Sequence, residues 1–273
     1  MSADSALEME SLLAASIRSA KQAGVRIMEI YDGDFAIEQK DDNSPLTEAD
    51  MAAHGVVVNG LQSLSPAFPV LSEESADIPY SARRRWEHYW LVDPLDGTRE
   101  FIKRNGEFTV NIALIEQDRA ILGVVYAPAL KLCYFAASGM GAFKQEGEQE
   151  PVAIHARLQH SDPVIVAGSR SHRGDSLNAF LANLGEHELL SMGSALKSCL
   201  VAEGAADIYP RLGPTSEWDT AAAQCIVEEA GGRVTTLDMK TLRYNTKESL
   251  LNPEFFVFGD NSVDWSQYLA SGE

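Results

Sequence analysis

The sequence predicts a mixed α+β and α/β protein made of two tightly packed halves, residues 1–150 and 151–273. Three observations carry that expectation. An amphipathic stretch opens the chain, strand-like segments dominate from about residue 69 to the polar run EGEQEP at 146–151, and strands and helices alternate beyond it. No low-complexity linker or internal repeat separates the two patterns, so the halves are expected to share an interface with a cleft in it.

From Ser5 to Tyr31, the residues Leu13, Ile17, Ala20, Gly24, Ile27 and Tyr31 recur at helical spacing and mark an inward face. The turn KDDNSP at 40–45 leads to TEADMAAHGVVVNGLQSL, where Thr47 is placed to N-cap a second helix and Asp50 completes a variant capping box. PVLSEES (69–75), HYWLVDP (88–94), FTVNIALIEQ (108–117) and AILGVVYAP (120–128) have the β-branched and aromatic content of strands. The last two read as a hairpin closed near Asp118 and Arg119, and LCYFAASGMGAFKQ adds a further strand and turn. In the second half PVIVAGS, RGDSLNAFLANLG, HELLSMG, SALKSCLVAEGAAD and EWDTAAAQCIVEEAGG alternate between strand and helix patterns.

Composition narrows the function. The 273 residues, 45% of them hydrophobic, supply a core that needs no covalent staples. Cys133, Cys199 and Cys225 form no CxxC pair and read as buried free thiols. No run of about 18 apolar residues occurs, and the acidic start MSADSALEMESLL lacks the features of a secretory signal. A soluble cytoplasmic protein is expected, a monomer or weak dimer without an integral membrane segment. Peripheral association with the inner membrane stays open, although no basic amphipathic helix favours it. The net charge of −18, from 40 acidic and 22 basic residues, argues against a nucleic-acid polymer as partner. It would repel an anionic substrate too, unless bound cations or a local basic pocket reverse the sign.

The stretch WLVDPLDGTREF at 90–101 sets Asp93 and Asp96 at the end of an apolar strand, with Pro94 blocking the ladder and Gly97 permitting close backbone approach. Two carboxylates on one tight turn suit a hard divalent cation, and a carbonyl such as that of Leu95 supplies a further oxygen. Taken alone, the same pair fits an Asx-type turn that satisfies local N–H groups. Glu73 and Glu74 at another strand end, and Asp219 at the start of a helix after Trp218, add carboxylates with plain readings of their own: a solvated pair and a charge favoured by the helix dipole.

LSEES, WLVDPLDGTREF and EWDTAAAQCIVEEAGG, in this order and at these separations, resemble the signatures of the inositol monophosphatase family of magnesium-dependent, lithium-sensitive phosphomonoesterases. The resemblance runs from about Lys40 to Gly232. It implies the layered αβαβα sugar-phosphatase fold with an active site between the halves. It also implies Glu73, Asp93, Asp96, Asp219 and the Leu95 carbonyl as ligands of two or more magnesium ions, with Glu74 behind them. Asp50 and Thr98 match the pair that orients the attacking water, and the N–H groups of Gly97 and Thr98 would face the phosphate.

Within that family, GSRSH at 168–172 and MGSALKSCLVAEGAADIYPR at 192–211 resemble the branch that hydrolyses the 3′-phosphate of adenosine 3′,5′-bisphosphate to give AMP in sulfur assimilation, with the 3′-phosphosulfate analogue as a second candidate substrate. His172 and Ser194 match nucleotide-contacting positions, and Lys197 stands where inositol-specific members generally carry an uncharged residue. Lys197 with Arg211 would meet the second phosphate. Singly, Lys197 also fits a solvent-facing helix position and His172 a loop histidine bonded to a carbonyl. Ala223 stands where the family helix often has Gly, which should alter only fine packing near Asp219. The alternatives are an inositol or other sugar phosphatase of the same family and, more remotely, a non-catalytic divalent-cation-binding protein.

Overall fold

Helix α1 (Ala3–Tyr31) buries Leu12, Leu13, Ala20, Ala23 and Ile27, the face its spacing marks out, and leaves Ile17 and Tyr31 half-buried at the margin. The structure is a computed structural model that describes residues 3–34, 37–39, 45–169 and 174–270. After α1 come a short antiparallel ladder of β1 (Ile37–Gln39) and β2 (Pro45–Thr47), then α2 (Glu48–Gln62) and β3 (Val70–Ser72). A 3-10 turn at Glu73–Ser75 and the short helix α3 (Tyr80–Arg83) lead into β4 (His88–Asp96) and α4 (Thr98–Ile102). A run of hairpins follows: β5 (Thr109–Glu116), β6 (Arg119–Ala127), β7 (Leu132–Ala137), β8 (Gly141–Glu146) and β9 (Val152–Ile154). Strands β3 to β9 lie side by side in chain order as a seven-stranded sheet, antiparallel except for β3 beside β4.

The second sheet has five strands in the order β11–β10–β12–β14–β13. It is assembled from β10 (Val164–Ser169), α5 (Asp175–Leu184), β11 (His187–Met192), α6 (Leu196–Ala202), β12 (Ile208–Arg211), α7 (Glu217–Glu229), β13 (Arg233–Thr236) and β14 (Phe255–Phe258). β10 runs parallel to β11 and β12, and β14 runs antiparallel to β12 and β13.

Strand alternation sorts the side chains into layers. Trp90, Val92, Ile112, Leu114, Leu122 and Val124 point to one face of the large sheet and pack on α1 and α2. Tyr89, Leu91, Ala113, Ile115 and Val125 point to the other, against α6 and α7, whose far sides meet Tyr209, Phe255 and Val257 of the small sheet. Val166, Ile208, Phe256 and Phe258 cover the last face with α5. The order is therefore helix, sheet, helix, sheet, helix, and the central helices α6 and α7 belong to both cores.

Two local expectations change. Pro94 does not end its strand: β4 continues to Asp96, with the register broken between Asp93, opposite Asn111, and Asp96, opposite Thr109. The proline sits in a bulge, one of the few places where a missing N–H is tolerated inside a sheet. Glu73 and Glu74 lie not on a strand but on the 3-10 turn that follows one. Among the described residues, no helix is long and apolar enough to cross a membrane.

The placement of α7 depends on small residues on both sides. Ala221, Ala222 and Ala223 are buried, and a Cβ added to Gly123 of β6 would lie 2.1 Å from the Ala222 carbonyl oxygen. Backbone cannot yield there as a flexible side chain would. Gly123→Ala is expected to lower the unfolding free energy by roughly 1–3 kcal/mol in urea melts; an unchanged midpoint would contradict this close seating of α7.

Candidate active site

Two of the candidate aspartates are placed by the same local device. Thr47 caps α2 with its hydroxyl accepting from Ala49 N–H at 3.2 Å, while Asp50 Oδ2 accepts from both the N–H and the hydroxyl of Thr47 at 2.7 Å. At α7, Asp219 reaches back in the same way and its Oδ2 accepts from Ser216 N–H at 2.9 Å. Each capping box fixes a carboxylate at the third helical position. Asp50 is 2% exposed, and its Oδ1 accepts from Thr98 Oγ1 at 3.1 Å.

The bulge in β4 supplies two more acids. Asp93 Oδ1 accepts from Leu95 N–H at 3.0 Å, the Asx-type bond that an isolated pair would use for stability alone. Asp93 also shares a side-chain hydrogen bond with Asp219. Asp96 Oδ2 accepts from Asn111 Nδ2 at 3.4 Å, and Asn111 is held in turn by Thr109 Oγ1 at 2.9 Å. Gly97 then turns the chain at φ 91°, a left-handed conformation that glycine adopts without strain, and Thr98 starts α4.

The acids converge. Glu73, Asp93 and Asp219 each offer a carboxylate oxygen, and these atoms lie within 4.8 Å of one another. Burial pushes the Asp93 carboxyl well above the usual carboxylate range, and the charges of Glu73, Asp96 and Asp219 push it further. Burial likewise raises Asp219, with Asp96 and Glu73 adding to it, to about 7. Asp96 is raised by burial, against the opposing pull of the Lys197 ammonium and the Asn111 bond. Like charges this close in a low-dielectric cleft favour any bound cation. A donor set of carboxylates and carbonyls alone fits a hard ion such as magnesium and not zinc or copper.

The opposite wall comes from the second half. Ser194, Lys197 at the start of α6 and Arg211 at the end of β12 line the same cavity as the acids, a space of about 360 Å³. Lys197 does not face solvent: it is 6% exposed, its Nζ donates to the Ser194 carbonyl, and it lies 5.4 Å from the Tyr209 ring centroid. Ser194 holds φ at 46°, and its buried Oγ has no hydrogen-bond partner among the described residues. Of the residues chosen from sequence, every described one lines this cavity except Asp50, which stands behind Thr98, and Glu74. His172 lies outside the described residues.

Sequence reasoning missed the supports. Asn111, behind Asp96, was visible as the one amide in the apolar run FTVNIALI. Gly193 N–H donates to Glu107 Oε2 at 2.8 Å, and a Cβ on Gly193 would meet the Glu107 carbonyl at 2.6 Å, so the Ser194 loop is pressed onto the β4–β5 connection. A third support is a buried polar strap. Arg83, 1% exposed, donates to Asn245 Oδ1 and to the carbonyls of Lys247 and Glu248; Asn245 N–H donates to Glu217 Oε2 at 2.9 Å. Asn252 Nδ2 donates to the Ser216 carbonyl at 2.8 Å. The strap thus joins the segment after Glu73 to the first turn of α7, which carries Asp219. No local pattern announces contacts between residues this far apart in sequence.

The sequence profile of the inositol monophosphatase family matches residues 8–260. The chain is 54% identical over 242 residues to the 3′(2′),5′-bisphosphate nucleotidase CysQ of Salmonella typhimurium, covering 87% of this chain and 96% of that protein. It is 51% identical over 243 residues to the protein of the same name in Escherichia coli K12, covering 87% of this chain and 96% of that protein. Among solved structures, CysQ from Bacteroides thetaiotaomicron, described as a bacterial member of the inositol monophosphatase family, superposes with a TM-score of 0.80 at 44% identity, over 92% of this chain and 98% of that one.

The strap predicts a coupled loss. Asn245→Ala leaves the buried Arg83 guanidinium short of a partner, so unfolding free energy should fall by roughly 1–3 kcal/mol. The magnesium concentration for half-maximal activity should rise with it, because the segment whose Asn245 N–H bonds Glu217 in the first turn of α7 loses its side-chain tie to Arg83; lost stability with no change in magnesium requirement would separate the strap from the site.

Proposed function

This chain belongs to the inositol monophosphatase family, and from that premise we propose that it hydrolyses the 3′-phosphate of adenosine 3′,5′-bisphosphate to give AMP and phosphate. The family is metal-dependent, generally on magnesium. The observation that carries the reading is one cavity with the carboxylates Glu73, Asp93, Asp96 and Asp219 on one wall and Ser194, Lys197 and Arg211 on the other. The identity to bisphosphate nucleotidases over most of both chains supports the nucleotide as substrate.

Glu73, Asp93, Asp96, Asp219 and the Leu95 carbonyl are the groups that would hold two or more magnesium ions. When bound, magnesium lowers the pKa of a coordinated water, neutralises phosphate oxygens and stabilises the departing alkoxide. The chain's own part is orientation. Thr98 Oγ1 lies 3.1 Å from Asp50 Oδ1 and 3.4 Å from the Leu95 carbonyl oxygen; with its proton given to the nearer carboxylate, its oxygen would accept from a water molecule. Asp50 is fixed by two bonds from Thr47 and cannot swing away, which gives that water one preferred direction toward phosphorus. The N–H groups of Gly97 and Thr98 are the ones from which a phosphate oxygen would accept. Lys197 and Arg211 would supply positive charge to an anionic ester in a strongly acidic protein, and Ser194, on the same cavity wall, would bond the substrate. The 3′-phosphosulfate analogue has the same ester and fits the same scheme. Lithium is expected to inhibit, in keeping with the family resemblance.

A phosphate-release panel tests this. Adenosine 3′,5′-bisphosphate should turn over faster than inositol phosphate or fructose bisphosphate, with release abolished by chelation and reduced by lithium. Asp93→Asn should lower turnover by on the order of a hundredfold or more, since it weakens a direct metal ligand. Faster turnover of inositol phosphate would overturn the substrate, and full activity of Asp93→Asn would overturn the metal assignment.

A further inference from the structure

Ser72 closes β3 one residue before Glu73 and stands at the N-cap of the 3-10 turn that carries it, with the extended backbone of a capping residue (φ −117°, ψ 147°). Its side chain nevertheless caps nothing there. A serine so placed ordinarily spends its hydroxyl on a first N–H of the turn it precedes. Here the hydroxyl, in a residue with no solvent exposure, is turned to the neighbouring helix instead: Ser72 Oγ lies 2.9 Å from His54 Nδ1. His54 follows Asp50 by four residues on α2, one helical turn along on the same side. Burial lowers the pKa of its ring, so near neutral pH the imidazole is uncharged and pairs with a hydroxyl as donor or as acceptor.

We propose that His54 is a positioning residue which, through Ser72, sets the Glu73 carboxylate relative to the Asp50–Thr98 pair and thereby the magnesium affinity of the cluster. This rests on the metal-dependent reading above. β3 runs parallel to β4 with Ser72 opposite Val92, so Glu73 and Asp93 leave adjacent strands at the same level, and their carboxylate oxygens lie within 4.8 Å of each other. Strand pairing of this kind fixes Glu73 against the acids of its own sheet but not against α2, which packs on one face of that sheet. Two side-chain bonds supply the connection. Thr98 Oγ1 joins Asp50 to the turn after the β4 bulge, and one helical turn away His54 joins the same helix to the residue before Glu73. Apolar packing between helix and sheet is non-directional, whereas a hydrogen bond of 2.9 Å fixes both separation and angle. Glu73 has most need of such a tie, because it rides on a turn of three residues and its side chain has one more rotatable bond than the aspartates.

Calorimetric titration of the metal-free full chain with magnesium supplies the readout, with urea melts of the same preparations beside it. Ser72→Ala and His54→Leu should each weaken magnesium binding by on the order of tenfold, the usual loss when a group that orients a metal ligand is removed. The double variant should bind no more weakly than either single one, because both changes remove one bond. In Asn the amide branches from the same carbon as Nδ1 does in His, whereas the amide of Gln reaches the place of Nε2. His54→Asn should therefore recover most of the lost affinity and His54→Gln should not. A bond that serves stability alone would lower the urea midpoint of Ser72→Ala and leave its magnesium affinity unchanged. That result, or an affinity in His54→Asn no better than in His54→Gln, overturns the proposal. Ser72→Ala removes a single oxygen, so it decides the question even where His54→Leu fails to fold. Magnesium binding without hydrolysis of the adenosine ester would remove the nucleotidase reading, and the titrations would still decide the role of His54. No magnesium binding by the unaltered protein overturns the metal assignment and the proposal together, whereas equal binding in all variants overturns the proposal alone.

Discussion

Crowding of carboxylates in a buried cleft is the constraint on which the rest of this structure depends. Asp93, Asp96, Asp219 and Glu73 crowd like charges into one cleft; burial raises the Asp93, Asp96 and Asp219 carboxyls, and neighbouring carboxylates add to it. Such a cluster persists only if its members are held against their tendency to part. Asp93 and Asp219 each spend one oxygen on a nearby backbone N–H, that of Leu95 or Ser216, and share a side-chain hydrogen bond with each other. The local hydrogen-bond explanation and the proposed metal role of the DPLD turn are thus compatible, since the bond that satisfies the turn also fixes the Asp93 carboxylate.

The fold supplies the long-range half of that restraint. Asp219 comes from α7, which lies against the large sheet because Gly123 leaves room for Ala222, and which is strapped through Glu217 and Asn245 to Arg83. The opposite wall is pressed into place where Gly193 meets Glu107. A cleft between two sheets is therefore held at a fixed width by the central helices that both cores share.

The most legible parts were those encoded within a few residues. Thr47 with Asp50 reads as a capping box and is one; Asp93, Asp96 and Gly97 read as a turn with two acids and form one. The layered fold was legible as an implication of motifs, not of periodicity alone, because nothing local in β12, β13 or β14 gives the order of the small sheet. Pro94 misled in detail, since a bulge lets a strand continue past a proline. Lys197 could not be settled from spacing: the helix face it occupies is buried only because Tyr209, from another strand, lies over it.

If the cluster holds magnesium as proposed, cation binding should precede or accompany the anion. The most direct measurement of that account is a calorimetric titration of the metal-free protein with magnesium, repeated in two buffers of different ionisation enthalpy. Because burial raises Asp219 to about 7, with Asp93 raised beside it, the cluster is expected to hold a proton below that pH in the absence of metal. Metal binding at about pH 6.5 should therefore expel protons, and the release should shrink at about pH 8.5, where the carboxylates are more fully ionised beforehand. A binding enthalpy independent of buffer at the lower pH, or no binding, would contradict the claim that magnesium occupies this cluster.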